Sequence, residues 1–405
     1  MQSRYLRVLI LTAFMVSLLA TAGFAARRSS LAGNLLIKDR DDVFFMPQSI
    51  HDYKRMVTFD FGSNMSTGNG GIVFGNESIT FGAFAHKTDF IGAIPTAFGT
   101  SGDINTMNAA GSNDFAGILA FPYSPAMNWV DAIIGFGSEE MPWGIRVSLG
   151  SASQVSEPVG TPKNENTTTA FNIVGGTTIN EDVEISAEFS FASGSIKTPN
   201  GANQDEREVS PFHFAASVRK TAAEEDEALQ LGYLGAFAFA SGTDKMTPFG
   251  GTASENDLSG FAFSGSVGPV YMPHERTTVA MYGTFEYMSA TSKTSAGETK
   301  QSSTTIPGWN IATEVELSSW FQARAGLKSK FMLQSGEMPA AGTPSPGQDK
   351  ASQHVLEYSW YTGLGITLDN FMLDGYIDPS VITSGTDLLG NSNDLFGMVT
   401  ATFMF

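Results

Sequence analysis

The chain contains no cysteine. That absence excludes a disulfide framework, a thiolate nucleophile, a cysteine metal site and the lipidated cysteine of a lipoprotein, so stability must come from burial and hydrogen bonding. Basic residues are scarce too, with 23 Lys and Arg against 41 Asp and Glu, a formal net charge of -18 and a pI near 4.6. A surface of that sign repels phosphate backbones and argues against nucleic acid as a partner. Histidine is confined to five scattered positions, His51, His86, His213, His274 and His354, without metal-ligand spacing. No nucleophile elbow, phosphate-cradling loop or paired-carboxylate motif stands out. The expectation is a protein that is not an enzyme, with no catalytic residue, no metal and no cofactor. Beyond the N-terminus, no run reaches the ~20 apolar residues that a membrane-spanning helix requires.

What is present begins at the N-terminus. Arg4 and Arg7 precede an apolar run from Val8 to Leu19, and the small residues Ala20, Thr21, Ala22, Gly23 and Ala25 follow. This is the layout of a secretory signal peptide, predicted over residues 1–25, with cleavage after Ala22 or Ala25 both fitting the small-residue pattern. The rest of the chain carries 31 Phe and 43 Gly at a mean hydropathy of -0.04. Such an average is what results when apolar and polar residues alternate along a strand.

That alternation is visible throughout. Val183, Ile185, Ala187, Phe189 and Phe191 alternate with Glu184, Ser186, Glu188 and Ser190, while Phe321, Ala323, Ala325 and Leu327 alternate with Gln322, Arg324 and Lys328. The apolar set recurs every second residue rather than at the helical spacing of about 3.6. From Asn128 onward the runs number about thirteen, and Arg55–Gly62, Gly70–Gly75 and Ser78–Lys87 bring the total to about sixteen, with about fourteen the nearest alternative. Links between them are alternately short, as at Glu139–Met141 and Ser318–Ser319, and long, as at Gln154–Asn166, Gly194–Glu208, Thr294–Ser302 and Thr383–Asn393. The longest, Thr88–Met127, is predicted to be an external loop.

The chain ends on a strand in which Val399, Ala401, Phe403 and Phe405 face one way and Met398, Thr400, Thr402 and Met404 the other. This ending resembles the C-terminal signal of Gram-negative outer-membrane barrels, which commonly finish on Phe. The predicted fold is therefore all-β, a transmembrane antiparallel up-and-down β-barrel over residues 55–405 in the outer membrane. Trp143, Trp309, Trp320, Tyr358 and Trp360 suit interfacial girdles.

If the apolar faces meet lipid, the alternate positions line the interior. The pore-lining candidates are Arg146, Glu184, Glu188, Arg219, Glu286, Glu314, Glu316, Arg324, Lys328 and Lys330. Glu314 falls opposite or diagonal to Arg324 across the hairpin at Ser318, which suits a lumenal ion pair. A barrel of about sixteen strands has room for water. The leading functional expectation is a porin-like channel for passive diffusion of small solutes through a hydrated, charge-lined lumen. A plugged transporter of hydrophobic small molecules is the second reading, and a structural or adhesive barrel or a barrel enzyme the third. The expected partners are outer-membrane lipid, a small-molecule permeant and, since trimers are common among porins, further copies of the chain.

Residues 26–54 differ from the strands. The stretch Leu35-Leu36-Ile37-Lys38-Asp39-Arg40-Asp41-Asp42-Val43-Phe44-Phe45-Met46-Pro47-Gln48 resembles the lead-in of long-chain fatty-acid-transporter-like barrels, an acidic run followed by an aromatic and an Asn-Pro-Ala element. Pro47 matches, while Met46 and Gln48 replace the Asn and Ala. The resemblance implies an N-terminal plug inside the barrel and passage of hydrophobic molecules. The residues themselves also suit a periplasmic leader entering the first strand near Arg55.

Overall fold

The computed structural model describes residues 26–62, 69–88, 127–138, 140–157, 160, 162–180, 182–200, 203–220, 228–294, 297–339, 348–377 and 396–405. The signal-peptide prediction, nearly all of Thr88–Met127 and all of Thr383–Asn393 lie outside the described residues.

The strands are β1 (Met56–Gly62), β2 (Asn69–Gly75), β3 (Ile79–Thr88), β4 (Met127–Gly137), β5 (Pro142–Ser156), β6 (Asn164–Ile179), β7 (Val183–Asn200) and β8 (Asn203–Lys220). They continue as β9 (Leu229–Thr247), β10 (Ser254–His274), β11 (Thr277–Thr294), β12 (Gly297–Ser318), β13 (Phe321–Pro339), β14 (Gln348–Leu368), β15 (Phe371–Ile377) and β16 (Phe396–Met404). All sixteen join in one closed antiparallel barrel, each strand beside its sequence neighbour. β1 and β16 seal it in register from Met56↔Met404 to Gly62↔Met398. Closure pairs every strand on both sides and leaves no free edge, the condition for a sheet to stand in lipid.

The period-two pattern sorts side chains between the two faces. On β7, Glu184, Ser186, Glu188, Ser190 and Ala192 are buried inside, while Ile185, Phe189 and Phe191 are exposed outside. The outer surface carries a belt of exposed Phe, Leu and Ile that includes Phe59, Phe74, Phe214, Phe239, Phe261 and Leu327. Trp143, Tyr271 and Trp320 mark its lower rim beside the short turns.

Several polar links read from the sequence as long loops are strand. Ser195, Ile196, Lys197 and Thr198 of β7 pair with Glu208, Arg207, Glu206 and Asp205 of β8, and β11 and β12 are paired out to Thr294↔Gly297. The reason is physical. A strand of 18 to 22 residues, as in β7, β10, β12 and β14, rises roughly 50 Å at the usual barrel tilt, against an apolar band of roughly 25 Å. Beyond the band both faces meet water, so the apolar alternation stops while the backbone ladder continues. At the other end the turns are tight, and Asn180 and Asp369 take positive φ of 51° and 52°, a conformation Asn and Asp tolerate.

Residues 26–54 form a short helix α1 (Ala26–Ser30) and two 3-10 turns, Arg40–Phe44 and Pro47–Tyr53. Asp39 caps the first of these reciprocally: its carboxylate accepts from the Asp41 N–H at 3.1 Å, and Asp42 accepts from the Asp39 N–H at 3.0 Å. The segment is buried against the lumenal wall in three apolar clusters. Leu31, Leu36 and Ile37 pack on Val270, Ala280 and Ala312. Val43 and Ile50 pack with Met56, Val73, Phe84 and Ile133. Leu35, Phe45 and Met46 pack with Leu234. Among these, Ile50 is fully buried and Leu31 nearly so.

Candidate functional site

The site is the short-turn end of the lumen, where residues 26–54 meet inward side chains from around the wall. The strands deliver those side chains by alternation, and the lumenal segment supplies the opposite charges. Arg219 on β8 donates to Glu184 on β7 at 2.6 Å and pairs with Asp42 of the segment at 2.8 Å. Asp42 is also bonded to Arg28. Arg27 reaches Glu314 on β12 at 2.8 Å and Asp39 at 3.2 Å. Glu314 in turn accepts from Arg324 on β13 at 2.5 Å, and Arg324 donates to Asp374 on β15 at 2.6 Å. Arg40 pairs with Asp60 on β1 at 3.3 Å and donates to Thr402 on β16.

Neutral polar groups extend the seam. Asn34 donates to Asn310 at 2.8 Å, Asn310 donates to the Ala32 carbonyl at 2.9 Å, and Gln48 donates to the Thr177 carbonyl at 3.2 Å. The wall also makes room by lacking side chains. A Cβ on Gly144 would overlap the backbone of Pro47 and Gln48, and one on Gly326 would lie 2.7 Å from the Ala32 nitrogen. Buried charges remain stable only when paired and hydrogen-bonded, which these are.

The remaining sequence-derived candidates lie on the inner face away from the segment or at its edge. Arg146 donates to Asn172 at 2.8 Å, and its guanidinium lies over the Phe44 ring at 5.9 Å. Glu188 accepts from Asn172 and from Ser190 at 3.2 Å. Lys330 pairs with Glu286 at 3.0 Å. Glu316, which accepts from Gln322 at 3.4 Å, and Lys328 are half-buried. Thus Glu184, Arg219, Glu314 and Arg324 come together at the lumenal segment, and Arg146 touches it, while Glu188, Glu286, Glu316, Lys328 and Lys330 lie on other parts of the wall. Asp60, Asp374, Asn172 and Asn310 were not singled out from sequence. Their signal was only an inward polar position within an alternating run.

Two carboxyls of the segment respond in opposite directions. Burial alone would raise Asp39, but the guanidiniums of Arg27, Arg28 and Arg40 and the Asp41 N–H bring it down to about 2. Asp41 is pushed up to about 8 by burial and by the carboxylates of Asp39 and Asp60, which Arg40 and Arg28 offset only in part.

Above this seam small apolar patches interleave on the inner wall with buried polar residues such as Thr168, Ser190 and His213. Trp129, Ala152, Ala170 and Ala192 pack together on β4 to β7, and Ala215, Ala238 and Ala262 continue the lining on β8 to β10.

No protein-family model and no curated protein matches the chain. Solved structures similar to it are outer-membrane barrels. A FadL homologue from Pseudomonas aeruginosa has 10% identity and a TM-score of 0.37 over 96% of this chain and 99% of that one. The toluene transporter TodX of Pseudomonas putida has 9% identity and a TM-score of 0.36 over 95% and 97% of the two chains. CdiB from Escherichia coli has 10% identity and a TM-score of 0.34, and the match spans 62% of its length. At these identities the likeness is one of architecture.

Proposed function

We propose that this chain is an outer-membrane transport barrel whose lumen is stoppered by residues 26–54 and which passes small apolar molecules. The observation that carries this reading is the fit of the segment to the wall, with Asp42, Arg27 and Arg40 paired to charges on three different strands and glycines on the wall making room for its backbone. Four of the charges that would line a hydrated porin, Glu184, Arg219, Glu314 and Arg324, belong instead to the seam that holds the stopper. The two apolar patches above it, Trp129 with Ala152, Ala170 and Ala192, and Ala215 with Ala238 and Ala262, offer an apolar cargo surface to rest on. Outer-membrane lipid is the partner of the Phe-rich belt. The reading includes no catalytic step and no nucleic-acid contact.

Planar-bilayer recording tests it. The intact exported protein should give no large ohmic steps, a version lacking residues 26–54 should give them, and vesicles holding the intact protein should take up naphthalene faster than arabinose. Large, stable steps from the intact protein would return the porin reading to first place.

A further inference from the structure

We propose that hydrolysis of the Ala25–Ala26 bond by a signal peptidase leaves Ala26 as the first residue, and that its α-ammonium is captured in a receptor formed by Thr400, Asp60 and Asp374 on the lumenal wall. This rests on the stopper reading above and adds to it a processing site and an ion site. Water adds across the amide, so Ala25 departs as a carboxylate and Ala26 keeps the nitrogen as an ammonium.

The geometry of Ala26 carries the argument. Its nitrogen donates to the Thr400 hydroxyl at 2.9 Å, and the residue is completely buried. Thr400 sits in register between Asp60 on β1 and Asp374 on β15, and all three are buried on the inner face. The Thr400 hydroxyl is itself bonded to the Asp60 side chain. A peptide amide brings one donor and no charge to this place, whereas an ammonium brings three donors and a second positive charge beside Asp60 and Asp374, each of which holds one arginine.

The charge count of the seam agrees. Its ion pairs join Arg27, Arg28, Arg40, Arg219 and Arg324 to Asp39, Asp41, Asp42, Asp60, Glu184, Glu314 and Asp374, which is five cations against seven carboxylates. Asp41, pushed up to about 8, stays protonated at neutral pH and removes one of the two excess charges. The ammonium balances the other. Cleavage after Ala22 would instead leave Gly23, Phe24 and Ala25 ahead of Ala26 and put a neutral amide against the two carboxylates.

The test starts with protein extracted from outer membranes. Intact mass and N-terminal sequencing should give Ala26 as the first residue; a chain beginning at Gly23 overturns the proposal. The protein is then produced with 13C-labelled alanine, which leaves the α-amine unmodified, and the Ala26 signals are titrated by NMR. The α-amine should titrate above the ordinary value of ~8. A refolded protein carrying Gly-Ser ahead of Ala26 should lose the site, and trypsin should cut after Arg27 and Arg28 about tenfold faster. An ordinary α-amine titration overturns the receptor even if the extended protein fails to refold, since it is read on the native chain. A Gly23 start with Arg27 and Arg28 still protected would leave the stopper reading standing. Rapid cutting of the native protein would sink both.

Discussion

At Gly144 the wall carries no side chain because the backbone of Pro47 and Gln48 occupies that space. A single methyl group there should therefore lift the stopper. Gly144→Ala is expected to open the pore to ohmic current, whereas Gly175→Ala, where an added Cβ meets nothing within 4 Å, should not. Paired recordings on the two variants check this. The carboxyls make a second prediction at the same scale. Asp39, held down to about 2, contributes stability that is present above its unfolded value of ~3.9 and is lost as pH falls toward 2. Asp41, raised to about 8, contributes stability that is full below its unfolded value and is lost as pH rises through about 8. Seating of residues 26–54 should thus be firmest near pH ~4, weaken as pH rises from there to about 8 and level off above, and Asp41→Asn should remove that weakening. Tryptic cleavage after Arg27 and Arg28, followed from pH 5 to pH 10 and normalised to trypsin activity at each pH, reads the Asp41 limb and its loss in the variant.

At the scale of the element, the strands within the apolar band were legible because two environments alternate across one backbone. Residue spacing alone put Glu314 opposite or diagonal to Arg324, and the two are register partners. The hairpin Gly194–Glu208 read as a loop because water lies on both of its faces and no alternation marks it, yet its backbone pairs out to Asn200↔Asn203. The ion-pair seam was half legible. Its wall half follows from inward parity, but its partners Arg27, Asp39 and Asp42 belong to a segment whose position depends on glycine sockets and apolar clusters far apart in sequence. Parity also sets the sensitivity of the strands. One residue inserted between Ala325 and Gly326 would turn one part of β13 inside out, sending either Arg324 or Lys330 toward lipid. That variant should fail to give the compact, heat-modifiable band on gels, while inserting two residues should retain much of it.

For the whole molecule, closure and the outer belt matter more than any one contact. Phe239 lies between Phe214 and Phe261 on neighbouring strands, all three outward and exposed. Placing a cation there should cost about 2–4 kcal/mol if the position lies near the bilayer midplane. Urea titration of Phe239→Arg in vesicles, against Ala240→Ser on the inner face as a control, measures that penalty.

The pairing of β1 with β16 sets an order of events in time. The ring cannot be sealed until the last residues of the chain arrive, because the partner of Met56 is Met404. The lumenal segment, made before any strand, rests on Thr400 and Thr402 of that final strand. It therefore waits for the whole barrel to be synthesised and clasped, so the first folded part of the sequence to leave the ribosome is among the last to find its place.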